Sequence, residues 1–147
     1  GSKPITLSAL VSRALEGLEH GERAHVQLEP NRAARNLDLP VRTAAQAIRS
    51  VVANALDAAK ENVTITGGST KGRVRIVGVD DGPGLPADVL RHAREPFFTT
   101  KEPGRGMGLG LFLAESITSQ LGGALTIDSS PGRGTSVTLE LPERARA

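Results

Sequence analysis

Glycine occupies every second position from Gly104 to Gly110, and an apolar run begins at Leu111. No other stretch restricts the chain so strongly. Such a segment suits neither the interior of a helix nor that of a strand, because glycine gives up the most backbone freedom on ordering. The residues from Leu111 onward nevertheless carry a helical pattern. A glycine-rich segment lets a ligand approach the main chain closely, and a helix start offers free N–H groups and partial positive charge. Together they favour anionic oxygens, most often phosphate. The two common phosphate patterns are absent: there is no G-x-x-x-x-G-K-[ST], and no G-x-G-x-x-G after a strand. A surface turn has the same composition, so the meaning of the stretch rests on its surroundings.

The 147 residues suit one domain, large enough to bury roughly 70% of its unfolded surface. Gly1-Ser2 reads as an expression scar and residues 3–147 as a single domain cut from a longer protein. With no cysteine there is neither a disulfide nor a thiolate metal site. No run approaches the ~18 apolar residues of a membrane helix, and no signal peptide is present. The 18 basic and 16 acidic residues are interspersed along the chain. With no basic stripe and few aromatic side chains, nucleic-acid binding is disfavoured. Three Phe, no Trp and no Tyr leave the core to Val, Ile, Leu and Ala.

Periodicity predicts helices at 5–19, 42–60, 86–93 and 109–121, the last with Leu109, Phe112, Leu113, Ser116, Ile117 and Leu121 inward. Strands are predicted at 25–29, 36–39, 62–66, 73–79, 125–129 and 135–141, with Gly67–Gly72 as a hairpin turn between the third and fourth. Glu143–Ala147 reads as a frayed tail. The whole is an α+β two-layer sandwich, a mixed, mostly antiparallel sheet packed on about three helices. The segment 94–110 is long for a loop, as lids are.

The helix at 42–60 has two faces. One is an apolar stripe of Ile48, Val51, Val52, Ala55, Leu56 and Ala59. The other runs Ala47, Ser50, Asn54, Asp57, Ala58, small and poor in the Lys and Glu of a solvated face, so something packs there. Asn54 offers a carbonyl oxygen suited to Mg²⁺ with nucleotide phosphates, or to a hydrogen bond with a nearby loop. Asp80-Asp81-Gly82-Pro83-Gly84 ends a buried strand, where a carboxylate needs donors. The amino group of adenine is one such donor; an ordinary Asp-Gly turn is the alternative. Lys101 and Arg105 are candidate phosphate partners. His20, His25 and His92 lack metal-ligand spacing.

In this order the pieces resemble the motif set of the catalytic, ATP-binding domain of bacterial sensor histidine kinases, members of the GHKL superfamily with its Bergerat fold. Asn54-Ala55-Leu56-Asp57-Ala58 resembles the N box and Asp80–Gly84 the G1 box. Glu95-Pro96-Phe97-Phe98-Thr99-Thr100-Lys101 resembles the F box, and Gly106-Met107-Gly108-Leu109-Gly110-Leu111 the G2 box. Gly132-Arg133-Gly134-Thr135 closes the set. The resemblance covers about residues 5–142, and the run after Gly106 is similar to the RegB/PrrB redox-sensing kinases.

The resemblance implies that Asp80 binds the adenine amino group, with Thr135 nearby, and that Gly82 and Gly84 shape the base pocket. It implies that Asn54 holds Mg²⁺ between the phosphates of ATP. Residues 94–110 would be the ATP lid, anchored by Phe97 and Phe98. Its Thr99, Thr100, Lys101, Arg105, Gly106, Met107, Gly108, Leu109 and Gly110, together with Asp57, would bind ATP, with the N–H groups of Gly106, Gly108 and Gly110 on the phosphates. Two positions depart from the pattern. Ser50 stands where many of these kinases have a second Asn, and Asp57 where many have Lys or Arg. The γ-phosphoryl group would go to a His on a dimerisation domain that is not part of this chain, and from there to a response regulator. The fragment would work in the cytoplasm without spanning a membrane. The alternatives are a GHKL ATPase, which would place a Glu where Ser50 stands, and a nucleotide-binding module without turnover.

Overall fold

An aliphatic interior is what the composition requires. In a computed structural model, which describes residues 2–92 and 110–145, the buried apolar side chains are all Leu, Ile, Val or Ala. Phe112 is among the exposed large side chains.

Strand β1 (Ser2–Thr6) leads directly into α1 (Leu7–Leu15), whose first turn is capped by the Thr6 hydroxyl accepting from the Ala9 N–H at 3.1 Å. A 3-10 turn at Gly21–Arg23 precedes β2 (Ala24–Gln27). A single turn of helix, α2 (Pro30–Ala33), leads to β3 (Asn36–Pro40). Helix α3 (Val41–Ala58) continues from it without a break. Strands β4 (Val63–Thr70) and β5 (Arg73–Asp80) form a hairpin, and α4 (Ala87–Leu90) is short. Helix α5 (Gly110–Gln120) runs into β6 (Ala124–Ser129) and β7 (Thr135–Pro142).

The strands make two sheets. Five strands run in the order β2-β4-β5-β7-β6, and β1 pairs with β3 apart from them. Among the described residues, only β2 and β4 pair in parallel within the larger sheet, and the chain passes through α3 between them. The remaining pairs are antiparallel. In β7, Val137, Leu139 and Leu141 are buried while Ser136, Thr138 and Glu140 are half-exposed, the alternation of a sheet covered on one face. Helices α1, α3 and α5 cover that face, with α3 touching both others. The expected two-layer α+β architecture holds.

Several details differ from the sequence reading, beginning with β1 at Ser2–Thr6, where no strand was expected and the first helix was expected from residue 5. The hairpin turn is Lys71-Gly72 alone, with φ of 51° and 78°. Two successive positive-φ residues suit the right-handed twist of a tight hairpin. Gly67 and Gly68 lie within β4, because Leu28 and Arg32 pack where their side chains would be. Helix α5 buries Leu111, Ala114, Ile117 and Thr118, with Leu121 buried just beyond its end, whereas Phe112 and Ser116 are exposed, so its inner face is rotated from the expected one. Finally, Glu143–Ala145 are tied in by backbone hydrogen bonds to Asp38 and Gly72 instead of fraying.

Candidate functional site

Asp80 closes β5, opposite Val63 of β4 and Thr135 of β7. It is only 5% exposed. Its Oδ1 accepts from the Gly82 N–H at 2.8 Å and the Thr135 N–H at 3.3 Å. Among the described residues no donor reaches Oδ2. Burial pushes the carboxyl pKa up; the two backbone donors oppose this in part, and the neighbouring Asp81 charge adds to the rise. The result is a nearly buried carboxylate with one oxygen held by two backbone donors and the other without a protein donor among the described residues.

The chain around this carboxylate is drawn tight. A Cβ at Gly82 would lie 2.3 Å from the Ala58 carbonyl oxygen. One at Gly84 would lie 2.0 Å from that of Ser130, and one at Gly134 2.2 Å from that of Asp80 itself. The end of α3, the end of β5 and the β6–β7 turn are thus packed main chain on main chain. Gly82 and Gly84 therefore permit contact between segments of this chain, a role the sequence alone did not indicate. The Ser129 hydroxyl joins the same three-way junction. It accepts from the Leu85 N–H at 2.8 Å and lies 3.0 Å from the Gly134 carbonyl and 2.8 Å from Thr135 Oγ1. Thr135 is 9% exposed and pairs with Asp80 across the strands, while its hydroxyl is engaged by Ser129.

Asp81 does different work from Asp80. It is exposed, and its two oxygens accept the backbone N–H groups of Lys60, Glu61 and Asn62 at 2.7–3.2 Å. Those donors hold its carboxyl below the usual carboxylate range, the Glu61 N–H most strongly. Neither Ser129 nor Asp81 was singled out by spacing, since a Ser at a strand end and the second acid of an Asp-Asp pair carry no distinguishing pattern.

Asn54 is half-buried in α3, one turn before Ala58. Val51, one turn earlier still, faces Gly78 of β5, where an added Cβ would meet its Cγ1 at 3.4 Å. Asn54 therefore lies between the two points at which α3 meets the strand that ends in Asp80. Ala47 of the same face is buried, Ser50 is half-buried and Asp57 is exposed. Among the described residues no group of three His, Cys, Asp or Glu could hold a metal. A single carboxamide oxygen suits Mg²⁺ when water and phosphate oxygens complete the shell, so these residues fit a nucleotide-borne magnesium. Phe97, Phe98, Thr99, Thr100, Lys101, Arg105, Gly106, Met107, Gly108 and Leu109 lie outside the described residues; Gly110 opens α5.

Comparison with known proteins bears on the family and the fold. Residues 40–145 match the model of the histidine kinase-, DNA gyrase B- and HSP90-like ATPases. The sensor kinase CckA of Brucella abortus is 52% identical over 63 residues, 43% of this chain and 7% of that protein. The sensory histidine kinase/phosphatase NtrB of Rhodobacter capsulatus is 30% identical over 159 residues, 95% of this chain and 43% of that protein. The chain thus spans less than half the length of either relative. The resemblance to RegB/PrrB kinases is not carried by these two. Among solved structures, the catalytic domain of histidine kinase ThkA superposes with a TM-score of 0.81 at 24% identity, covering 98% of this chain and 97% of that one. ShkA in complex with AMPPNP gives 0.81 at 22% identity, over 100% of this chain and 32% of that one. These structures share the fold.

Proposed function

The chain belongs to the histidine kinase-, DNA gyrase B- and HSP90-like ATPase family as a catalytic, ATP-binding domain of the sensor histidine kinase kind, and from that premise we propose how its residues hold and present ATP. The observation that carries the reading is the Asp80 carboxylate, buried, half-satisfied and set at the meeting point of three segments. Its open oxygen accepts from the exocyclic amino group of adenine, and Thr135 pairs beside it. Asn54 would hold Mg²⁺ through its carboxamide oxygen, and Asp57, exposed three residues on, belongs to the proposed ATP-binding set. The stretch 94–110 covers the phosphates, with Phe97 and Phe98 at its near end. In this proposal Thr99, Thr100, Lys101 and Arg105 would supply polar and charged contacts to the nucleotide, and Gly106, Met107, Gly108, Leu109 and Gly110 would complete the ATP-binding set, the glycines through their N–H groups.

Bound magnesium would neutralise phosphate charge during transfer. The chain's own part is to fix the base at one end and align the phosphates at the other, since phosphoryl transfer depends chiefly on positioning and charge stabilisation. The acceptor is a His on a helical dimerisation domain of the same kinase, and a response regulator takes the phosphoryl group from it. The fragment acts at the cytoplasmic face of its parent; among the described residues no helix is long and apolar enough to cross a membrane.

The test is direct. Calorimetric titration with a non-hydrolysable ATP analogue, with and without magnesium, should show binding that the metal strengthens. Adding a separately made helical His domain and radiolabelled ATP should place label on its His. Binding without any transfer of label would leave a nucleotide module and overturn the kinase role.

A further inference from the structure

We propose that Asp81 is a positioning residue that sets the distance between the adenine end and the metal end of the nucleotide site. The inference rests on the assignment of those ends to Asp80 and Asn54. Asp81 comes directly after Asp80 in the chain, yet its carboxylate grips a different segment: the N–H groups of Lys60, Glu61 and Asn62, immediately beyond the end of α3. It therefore spans between the strand that carries Asp80 and the helix that carries Asn54. Pairing of Val63 with Asp80 fixes β4 against β5, core packing seats α3 on the sheet, and the 59–62 loop between α3 and β4 ties the site end of the helix to the strand. Two features hold that loop on the site side. The Asp81 carboxylate takes its donors, and Ala58 presents its carbonyl oxygen to Gly82. On the far side Arg23 donates to the carbonyls of Glu61 at 2.7 Å and Ala59 at 3.3 Å. Arg23 steadies the same loop without touching the strand end that bears Asp80.

This arrangement separates two consequences of loosening the loop. Adenosine needs only the Asp80 end. ATP–Mg²⁺ needs both ends at a fixed separation, and it loses affinity when α3 shifts along its axis. A group that served stability alone would affect both ligands alike.

The experiment titrates the whole chain with adenosine and, separately, with a non-hydrolysable ATP analogue plus magnesium, following chemical shifts at a temperature where each variant is folded. In Asp81→Ala the analogue should bind about tenfold or more weakly while adenosine changes by less than about threefold, the scale expected of a small misplacement. Asp81→Asn, which retains one acceptor oxygen, should fall between wild type and Ala, and carries the test if the Ala variant does not fold. Arg23→Ala should lower the melting temperature while leaving the ratio of the two affinities unchanged. Equal losses for both ligands, no loss for either, or the same change of ratio in Arg23→Ala would overturn the proposal. Failure of the wild-type chain to bind the analogue would instead sink the assignment of the site itself.

Discussion

At the scale of single residues, the two adjacent carboxylates respond to pH in opposite senses. Asp80 has its pKa raised by burial. Its protonated form is favoured in the fold, so its contribution to stability is greatest below the unfolded value of 3.8 and is lost as pH rises through the folded pKa. Near neutrality its ionised form is a standing cost. Asp80→Asn keeps an oxygen for Gly82 and Thr135 while removing the buried charge. The ligand-free variant should melt no lower than wild type, yet bind an ATP analogue roughly 10- to 100-fold more weakly, the worth of a charged hydrogen bond. Calorimetry on one preparation measures both, and a variant with lower melting temperature and intact affinity would remove Asp80 from the site. Asp81 has its pKa lowered by its backbone donors, so its contribution is present above 3.8 and is lost as pH falls through the folded value. The acid limb of a stability curve should accordingly be shallower in Asp81→Asn than in wild type. Sequence spacing made Asp80 and Asn54 candidates, with an Asp-Gly turn and a loop hydrogen bond as the alternatives, and the family resemblance supplied their roles. Asp81 was beyond such reasoning. Its partners are backbone groups some twenty positions away, and an N–H looks the same in every residue.

At the scale of elements, glycine has two different meanings here, and substitution distinguishes them. Gly82→Ala would place a methyl group 2.3 Å from a main-chain carbonyl at the end of α3. Backbone cannot turn aside as a side chain can. The change should cost about 2–3 kcal/mol, the upper part of the overpacking range, and should weaken nucleotide binding with it. Gly72→Ala meets no atom within 4 Å, but φ there is 78°. It should cost about 1–2 kcal/mol through backbone strain alone and leave affinity for nucleotide unchanged. Chemical denaturation together with analogue titration separates the two cases. The same ambiguity explains where the elements were misjudged. Gly67-Gly68 resembles a turn in composition, yet the chain stays extended there because Leu28 and Arg32 fill the space their side chains would take. In α5 the apolar residues are too evenly spread to fix a face, so which side is buried depends on contact with α3, and Phe112 lies outside. Helix α3 was legible because its apolar stripe and its small-residue face are both continuous.

At the scale of the whole molecule, the β1–β3 sheet is joined to the larger one by three residues past β7. Asp38 donates its N–H to the Glu143 carbonyl at 2.8 Å, and its own carbonyl accepts from Ala145 at 2.9 Å, while Glu143 donates to Gly72 at the hairpin tip. Nothing local in Glu143–Ala145 announces this, since the pairing joins positions about a hundred residues apart, and β1 was hidden for the same reason. The side chain of Glu143 strengthens the seam. It takes both guanidinium nitrogens it meets on Arg35 and lies 3.4 Å from the Ser69 hydroxyl. The Arg35 hydrogen bonds hold its carboxyl below the usual range, so its contribution is present above the unfolded value of 4.5 and is lost as pH falls through the folded one. The carboxylate is 13% exposed and the guanidinium 48%, which leaves the pair partly screened and its effect local. Glu143→Gln should therefore speed native-state hydrogen exchange at Leu37 and Leu39 of β3 while leaving Ile76 of β5 and Leu139 of β7 near their wild-type rates. Lowering the pH through the folded pKa of Glu143 should bring wild type toward the variant's pattern at those same β3 amides. If exchange instead rose equally in both sheets, the seam would be part of one cooperative unit, because a partial opening confined to β1 and β3 is the only route by which a surface pair could act on one sheet and spare the other.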